Sequence, residues 1–105
     1  MARGMGNMGN LQQMAMRMQA ELQKKQAQLL ETEVTAQSGG GMVSCTVNGA
    51  HQIVRLTINP EAVDPDDVEM LEDTVTAAVN AAMHEFDEMA QKEMSALTGG
   101  LPFGR

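Results

Sequence analysis

The chain contains no tryptophan and no tyrosine, and only two phenylalanines, Phe86 and Phe103. Without large rings, the 43% of hydrophobic residues must form a core from aliphatic side chains and from eleven methionines, which adapt to irregular gaps. Stacking of single-stranded bases on aromatic side chains is disfavoured for the same reason. The sequence therefore predicts one aliphatic, methionine-rich domain within its 105 residues.

Cysteine and long apolar runs are also scarce. The single cysteine, Cys45, excludes an internal disulfide framework and fits a reducing compartment. No run approaches the ~20 apolar residues that a membrane-spanning helix needs. The opening MARGMGNMGN lacks the apolar segment of a secretory signal. We expect a cytoplasmic protein without a membrane segment.

Basic residues are few and unevenly placed. The chain has seven Lys and Arg against fourteen Asp and Glu, a net charge of −7. Residues 1–30 carry four basic residues and one acid (4 − 1 = +3), whereas residues 60–105 carry two basic residues and eleven acids (2 − 11 = −9). This asymmetry indicates different roles for the two ends of the chain.

A first helix is predicted over about residues 8–31, because apolar side chains recur there at steps of three and four. The apolar positions are Met8, Leu11, Ala15, Met18, Leu22 and Leu29, and Lys25 interrupts the series. Asn7 or Asn10 is expected as the N-cap. The Gly-, Asn- and Met-rich residues 1–7 are expected to form a mobile N-terminus.

Three strands are predicted in the middle of the chain. The first covers roughly residues 32–38, before Gly39-Gly40-Gly41. Alternation then places Val43, Cys45 and Val47 on one face of a second strand, and Val54, Leu56 and Ile58 on one face of a third. Asn48-Gly49 between them is typical of a type I′ hairpin turn. We expect a three-stranded antiparallel sheet with one apolar face, ended by Asn59-Pro60.

The acidic run DPDDVEMLED, residues 64–73, is interpreted as the start of a second helix. Asp64 is expected as its N-cap, Pro65 at the first helical position and Asp67 three residues after the cap. The helix dipole favours carboxylates there by ~0.3–1 kcal/mol each. The apolar stripe that follows consists of Val68, Leu71, Val75, Val79, Ala82, Phe86 and Met89, and Gly99-Gly100 and Pro102 end the helix. Residues 8–98 would form one domain and residues 99–105 a mobile tail.

No residues have the spacing of a catalytic or metal site. A calcium loop needs glycine at its sixth position and glutamate at its twelfth, and Pro65 commits the acidic run to a helix. His51 and His84 lack partners at ligand spacing. Cys45 alternates with two valines, as a small buried residue does. The run GGG lacks the Lys-Ser/Thr of a phosphate loop. We expect no enzyme, no cofactor and no metal.

The two predicted helices are too long for the sheet that they flank. About 24 and 33 helical residues span roughly 36 and 50 Å. Both helices must therefore project beyond three short strands, and projecting apolar stripes need partners. This predicts a homodimer with a shared core, and pairing of the two helices within one chain is the alternative.

The first helix carries basic residues on one stripe. Arg17 and Lys24 are seven residues apart, away from the apolar positions and surrounded by glutamines. Such a face can hold phosphates through point charges and amide donors. The alternative to phosphate binding, for a single chain, is an ordinary solvated helix face. A dimer would double the number of these basic residues.

The order of these segments closely resembles the YbaB/EbfC family of nucleoid-associated proteins. The resemblance covers essentially the whole chain, through GMGNMGNL, the GGGMV strand entry, TVNG, INPEAVDPDDVEMLEDTVTAAVNAA and LTGGLPFG. It implies an α+β fold, with an α-β-β-β-α protomer in a tweezer-like homodimer whose long helices protrude.

For function, the resemblance implies binding to double-stranded DNA with little sequence preference, in the nucleoid of the bacterial cytoplasm. Such binding alters DNA conformation and influences gene expression. The protruding helices are the DNA-contacting part of that family. In this chain the contacts would fall on Arg17, Lys24 and Lys25 of the first helix and on Lys92 near the end of the last helix. Arg3 and Arg105 would contribute from the ends of the chain. The acidic residues 64–73 would lie away from DNA.

A second function belongs to another class of protein. Helices with apolar stripes around a small sheet are also typical of small chaperones and adaptor proteins. The methionines would then bind apolar segments of other proteins. The two functions respond differently to salt, because phosphate binding weakens steeply with ionic strength and apolar binding does not.

Overall fold

The computed structural model describes the backbone of residues 2–97 and the side chains of residues 9–97. Its elements are α1 (Ala2–Glu31), β1 (Glu33–Ser38), β2 (Val43–Asn48), β3 (Ile53–Ile58), a short 3₁₀ turn (Pro60–Ala62) and α2 (Val68–Leu97). The strands form one antiparallel sheet in the order β1-β2-β3. The predicted α+β class and α-β-β-β-α order are therefore confirmed.

Helix α1 begins at Ala2, well before the start near residue 8 that the apolar repeat predicted. Asn7 and Asn10 lie inside the helix and are not its N-caps. Glycine and asparagine lower helix propensity without forbidding helical backbone angles, so a helix established further along the chain extends through them. The predicted tail, residues 99–105, lies outside the described residues.

The N-cap of α2 is Asp67, and the prediction of Asp64 was wrong. The Asp67 Oδ1 accepts a hydrogen bond from the backbone N–H three residues further on, at 3.2 Å. Asp64 closes the preceding turn, where its carboxylate accepts from the Asp66 N–H and its carbonyl from the Asp67 N–H, both at 2.9 Å. Aspartate followed by proline favours such a turn, so Pro65 precedes the helix and does not begin it.

The core lies between α2 and the first two strands. Its buried residues are Val43, Cys45 and Val47 of β2, Ala36 of β1, and Ala78, Ala82 and Phe86 of α2. The buried face that alternation predicted for β2 is confirmed. Alanines on the facing side of α2 let the helix backbone approach the sheet closely. Ala78 was absent from the predicted stripe, because a helix against a sheet buries more than one row of side chains.

The apolar side of β3 is left uncovered. Helix α2 packs mainly against β1 and β2, and β3 forms one edge of the sheet. The register places Leu56 opposite Cys45 and Ile53 opposite Val47, on the core-facing side. Yet Ile53 is 50% exposed and Leu56 41% exposed. We call these two residues the uncovered strip.

A β-bulge changes the predicted alternation of β3. The register steps from Arg55 directly to Ile53 against consecutive residues of β2, so Val54 is an extra residue. Alternation had placed Val54 on the face of Leu56. Ile53 takes that place instead, and the bulge increases the local twist of the edge strand.

The predicted β2–β3 hairpin is present, but its turn is not type I′. His51 takes the positive φ, at 60°, and Gly49 does not. The His51 N–H donates to the Asn48 carbonyl at 3.1 Å, and the Asn48 side chain accepts from the N–H groups of Ala50 and Gln52. This is a three-residue loop that ends in a left-handed residue. The Asn48 side chain stabilises it by capping two backbone donors.

Gly49 is required by packing rather than by its backbone angles. A Cβ at this position would lie 2.0 Å from the Leu29 carbonyl oxygen and 2.7 Å from the Leu30 Cα. The hairpin turn therefore lies directly against the C-terminal end of α1, with backbone on both sides of the contact. This contact ties α1 to the sheet.

We expect Gly49→Ala to lower the free energy of unfolding by about 1–3 kcal/mol, because the added methyl group must push α1 away from the turn. Gly9→Ala is the matched control, since nothing lies within 4 Å of a Cβ there. That change lies on an exposed stretch of α1 and should alter the free energy of unfolding by no more than about 0.5 kcal/mol. Urea unfolding measures both, and equal effects would contradict the packing role of Gly49.

Cys45 should be inert in the folded protein, since it is fully buried and burial raises the pKa of its thiol. The folded state then holds the proton more tightly than the unfolded chain. Its stabilising effect is complete below the unfolded pKa of about 8.5 and is lost as pH rises through the folded value. A thiol reagent should label native protein at least about a thousandfold more slowly than denatured protein. Comparable rates would show that Cys45 is accessible.

Candidate nucleic-acid interface

Among the residues whose side chains are described, helix α1 contacts the rest of the chain through its C-terminal half. Leu22, Lys25 and Leu29, at steps of three and four, are half-buried. Every residue from 9 to 20 is exposed, and the molecule extends 80 Å in its longest direction but only 26 and 15 Å in the others. We call residues 9–20 the free half of α1. It projects as an isolated helix of about 18 Å, so the predicted protrusion of this helix is confirmed.

Arg17 and Lys24 lie on one side of α1, which runs without a break through both residues. Seven residues are nearly two full turns, so the two side chains are almost in line and about 10.5 Å apart along the axis. Both are exposed, and neither forms an ion pair with any residue that the structure describes. Glu21 lies between them along the same side. We call Arg17 and Lys24 the basic face.

Lys25 was predicted to contact DNA, but it is bound within the chain. Its Nζ lies 2.5 Å from the Oε1 of Glu93 on α2, and the two side chains are 28% and 37% exposed. This ion pair borders an open cleft of about 440 Å³ between the ends of the two helices. The Lys25 charge is therefore neutralised by Glu93 of α2, and Lys24 lines the same cleft.

Glu93 was not predicted as the partner of Lys25, because the sequence alone does not show which residues of the two helices face each other. The useful signal was the apolar stripe of α2, in which Glu93 follows Met89 by four residues. Lys25 interrupts the stripe of α1 in the same way. Two opposite charges at apolar positions of facing helices predict a pair.

Lys92 lies apart from the basic face. It is exposed and borders a shallow depression of about 320 Å³ with Glu88, Gln91 and Ser95. Helix α2 carries seven acids and this single basic residue (1 − 7 = −6). The Glu88 carboxylate lies 3.4 Å from His84 Nε2. The predicted sites at Arg3 and Arg105 lie outside the residues whose side chains are described.

Other chemistry finds no support between residues 9 and 97. No group of three or more His, Cys, Asp and Glu side chains there could hold a metal ion. Asp64, Asp66 and Asp67 are exposed and serve the turn and the N-cap already described. Among residues 2–97, neither helix combines the length and apolar character needed to cross a bilayer.

Comparison with known proteins identifies relatives over nearly the whole chain. A model of the YbaB/EbfC DNA-binding family matches residues 5–101. A nucleoid-associated protein of Agathobacter rectalis is 48% identical over 99 residues, which cover 94% of this chain and 88% of the relative. A nucleoid-associated protein of Moorella thermoacetica is 46% identical over 98 residues, which cover 93% of this chain and 94% of the relative.

A solved structure shares the fold. The crystal structure of an uncharacterized protein, HP0035 from Helicobacter pylori, matches with a TM-score of 0.67 and 25% sequence identity. The match covers 84% of this chain and 92% of that chain. The order of helices and strands described above is therefore shared with an experimentally determined protein.

Proposed function

The chain belongs to the YbaB/EbfC DNA-binding family, and from this premise we propose that it binds double-stranded DNA as a homodimer with little sequence preference. Binding of this kind alters DNA conformation and contributes to nucleoid organisation and gene expression. The observation that carries the proposal is the exposed basic face of α1, with Arg17 on the free half of the helix and Lys24 beside the cleft at its base.

Phosphate contacts account for the binding. The two side chains of the basic face have no partners among the described residues, so neither must break an internal ion pair to meet a phosphate. Two such contacts per protomer give about four per dimer, a modest electrostatic contribution. The net charge of −6 on α2 repels DNA. DNA therefore lies along the side of α1 that carries the basic face, at a distance from the acidic start of α2.

Little sequence preference follows from the same surface. Base reading needs side chains presented to base edges in a groove, as in a helix-turn-helix. The fold has no such motif within residues 2–97, and α1 projects as a single helix. Contacts to phosphates position a protein on the duplex without reading its sequence. Two projecting helices in one dimer then bridge or clamp the duplex.

The uncovered strip supports the homodimer. Ile53 and Leu56 are about half exposed on the core-facing side of an edge strand. Exposed edges with apolar side chains are the surfaces through which sheets join other chains. A second copy brings the same strip to the contact, as a two-fold interface requires. It also doubles the basic face, which compensates for the small number of cations on one chain.

One observation favours a second candidate function. Leu11, Met14 and Met16 on the free half are 63–71% exposed. This apolar surface suits an adaptor or chaperone that binds other proteins. Such binding would persist at high salt, whereas phosphate binding would not.

Reversing both charges of the basic face, Arg17→Glu with Lys24→Glu, should weaken DNA binding by about a hundredfold or more on every duplex alike. Fluorescence anisotropy of labelled duplexes of several sequences measures the affinities at several salt concentrations. The unmodified protein should show a log–log slope of about −0.9 per neutralised phosphate, for roughly four to eight contacts per dimer.

The matched control compares two single variants, Arg17→Glu on the basic face and Lys92→Glu on α2. We expect a much smaller loss of affinity from Lys92→Glu, because Lys92 does not belong to the basic face. An equal loss would assign binding to overall charge, and unchanged affinity of the Arg17 and Lys24 variant would contradict the site. Absence of DNA binding at low salt, together with salt-resistant binding of unfolded proteins, would favour the adaptor function.

Replacing Leu56 by Asp should convert the dimer to a monomer, because it places a charge in the apolar contact between two copies. Light scattering coupled to gel filtration measures the mass in solution. Val63→Asp is the control, since Val63 is similarly exposed, at 52%, and lies outside the sheet. A monomeric unmodified protein, or a dimer that tolerates Leu56→Asp, would contradict this interface.

A further inference from the structure

We propose that Glu93 is a positioning residue for DNA binding, which acts through its ion pair with Lys25. The pair sets the angle at which α1 leaves α2, and so sets where Arg17 of the basic face lies relative to the rest of the dimer. Lys25 then belongs to this pair and is not itself a phosphate contact. The inference rests on the proposed function, because it concerns the helix through which DNA would be bound.

The contacts of α1 explain why one ion pair has this role. Leu29 packs against the core, and the backbone of α1 at this point meets the Gly49 turn. From there towards residue 9, only Leu22 and Lys25 are half-buried, and the other described side chains of the helix are exposed. An apolar contact such as that of Leu22 tolerates sliding and rotation. A charged pair that is about two thirds buried accepts one partner in one register.

The geometry of the helix makes this angle important. Arg17 lies eight residues before Lys25, which is about 12 Å along the axis. A rotation of α1 by about 10° at Lys25 would therefore move the Arg17 backbone by about 2 Å. A shift of that size is enough to break a hydrogen bond whose optimum length is about 2.9 Å. Beyond Lys25, no described side chain of α2 restrains the free half at Arg17.

Two other roles for the pair make different predictions. If Lys25 contacted a phosphate directly, its loss would remove one neutralised phosphate from the salt slope of each protomer. If Glu93 competed with DNA for Lys25, its neutralisation would strengthen DNA binding. The positioning role predicts instead that neutralising Glu93 weakens binding, although the change removes a negative charge close to DNA.

The decisive experiment is a charge exchange. DNA affinity and salt slope are measured for Glu93→Gln, for Lys25→Gln, and for the double variant Lys25→Glu with Glu93→Lys. The control is Glu88→Gln, which makes the same charge change on α2 at a residue paired with His84. We expect both single variants to lose about three- to tenfold in affinity, with an unchanged salt slope. The exchanged pair should bind within about twofold of the unmodified protein.

Three outcomes would overturn the positioning role. Tighter DNA binding by Glu93→Gln than by Glu88→Gln would show that Glu93 competes with DNA for Lys25. A reduced slope for Lys25→Gln with no recovery in the exchanged pair would show a direct phosphate contact. Unchanged affinity for all three variants would show that the pair has no part in binding.

A measurement without DNA separates this inference from the proposed function. Spin labels on cysteines placed at Gln19 and Gln91 report the distance between α1 and α2, with labelled protein diluted into unlabelled protein. The distribution should broaden or shift for Glu93→Gln and recover in the exchanged pair, and an unchanged distribution would contradict the angle-setting role. If the unmodified protein bound no DNA, the proposed function would fail, and with it the role of Glu93 in DNA binding. The distances would still show whether the pair sets the helix angle.

Discussion

The packing of β2 against the alanine side of α2 determines where every other element lies. Val43, Cys45 and Val47 are fully buried there because Ala78 and Ala82 let the helix backbone come close. One helix covers about two strands at this distance, so β3 is left at an open edge. The hairpin that joins β2 to β3 then places Gly49 against α1. The position of the projecting helix is therefore a consequence of how the core is filled.

Charge is distributed along the same framework. The acids of α2 would oppose any polyanion that approached the body of the protein, and the basic face lies beyond them on a helix that extends outward. The ion pair between Lys25 and Glu93 lies where the two regions meet. Arg17 lies far from the acidic start of α2, because the helix between Glu69 and Glu93 spans about 36 Å, which exceeds the ~8 Å over which salt screens charges.

The helices and strands were predictable because their apolar residues recur at clear helical or strand spacing. Where each element ends, and which side chains pair between elements, depends on contacts that this spacing does not show. The series Val43, Cys45, Val47 correctly indicated the buried face of β2. Three aspartates within four residues could each cap α2. The turn at Pro65 uses Asp64 and leaves Asp67 as the N-cap. The Asn-Gly pair indicated a hairpin, but packing against Leu29 accounts for its glycine. The charge stripe of Arg17 and Lys24 was visible in the sequence, while the partner of Lys25 required both helices in place.

The exposure of residues 9–20 also bears on how this protein can change over evolution. Exposed side chains outside the core can be replaced without disturbing it, so substitutions there have little effect on the melting temperature. Substitutions on the free half of α1 can therefore change the affinity or selectivity of binding to a partner while the fold is kept. The usual conflict between a more active surface and a stable protein is largely avoided by this division of the molecule.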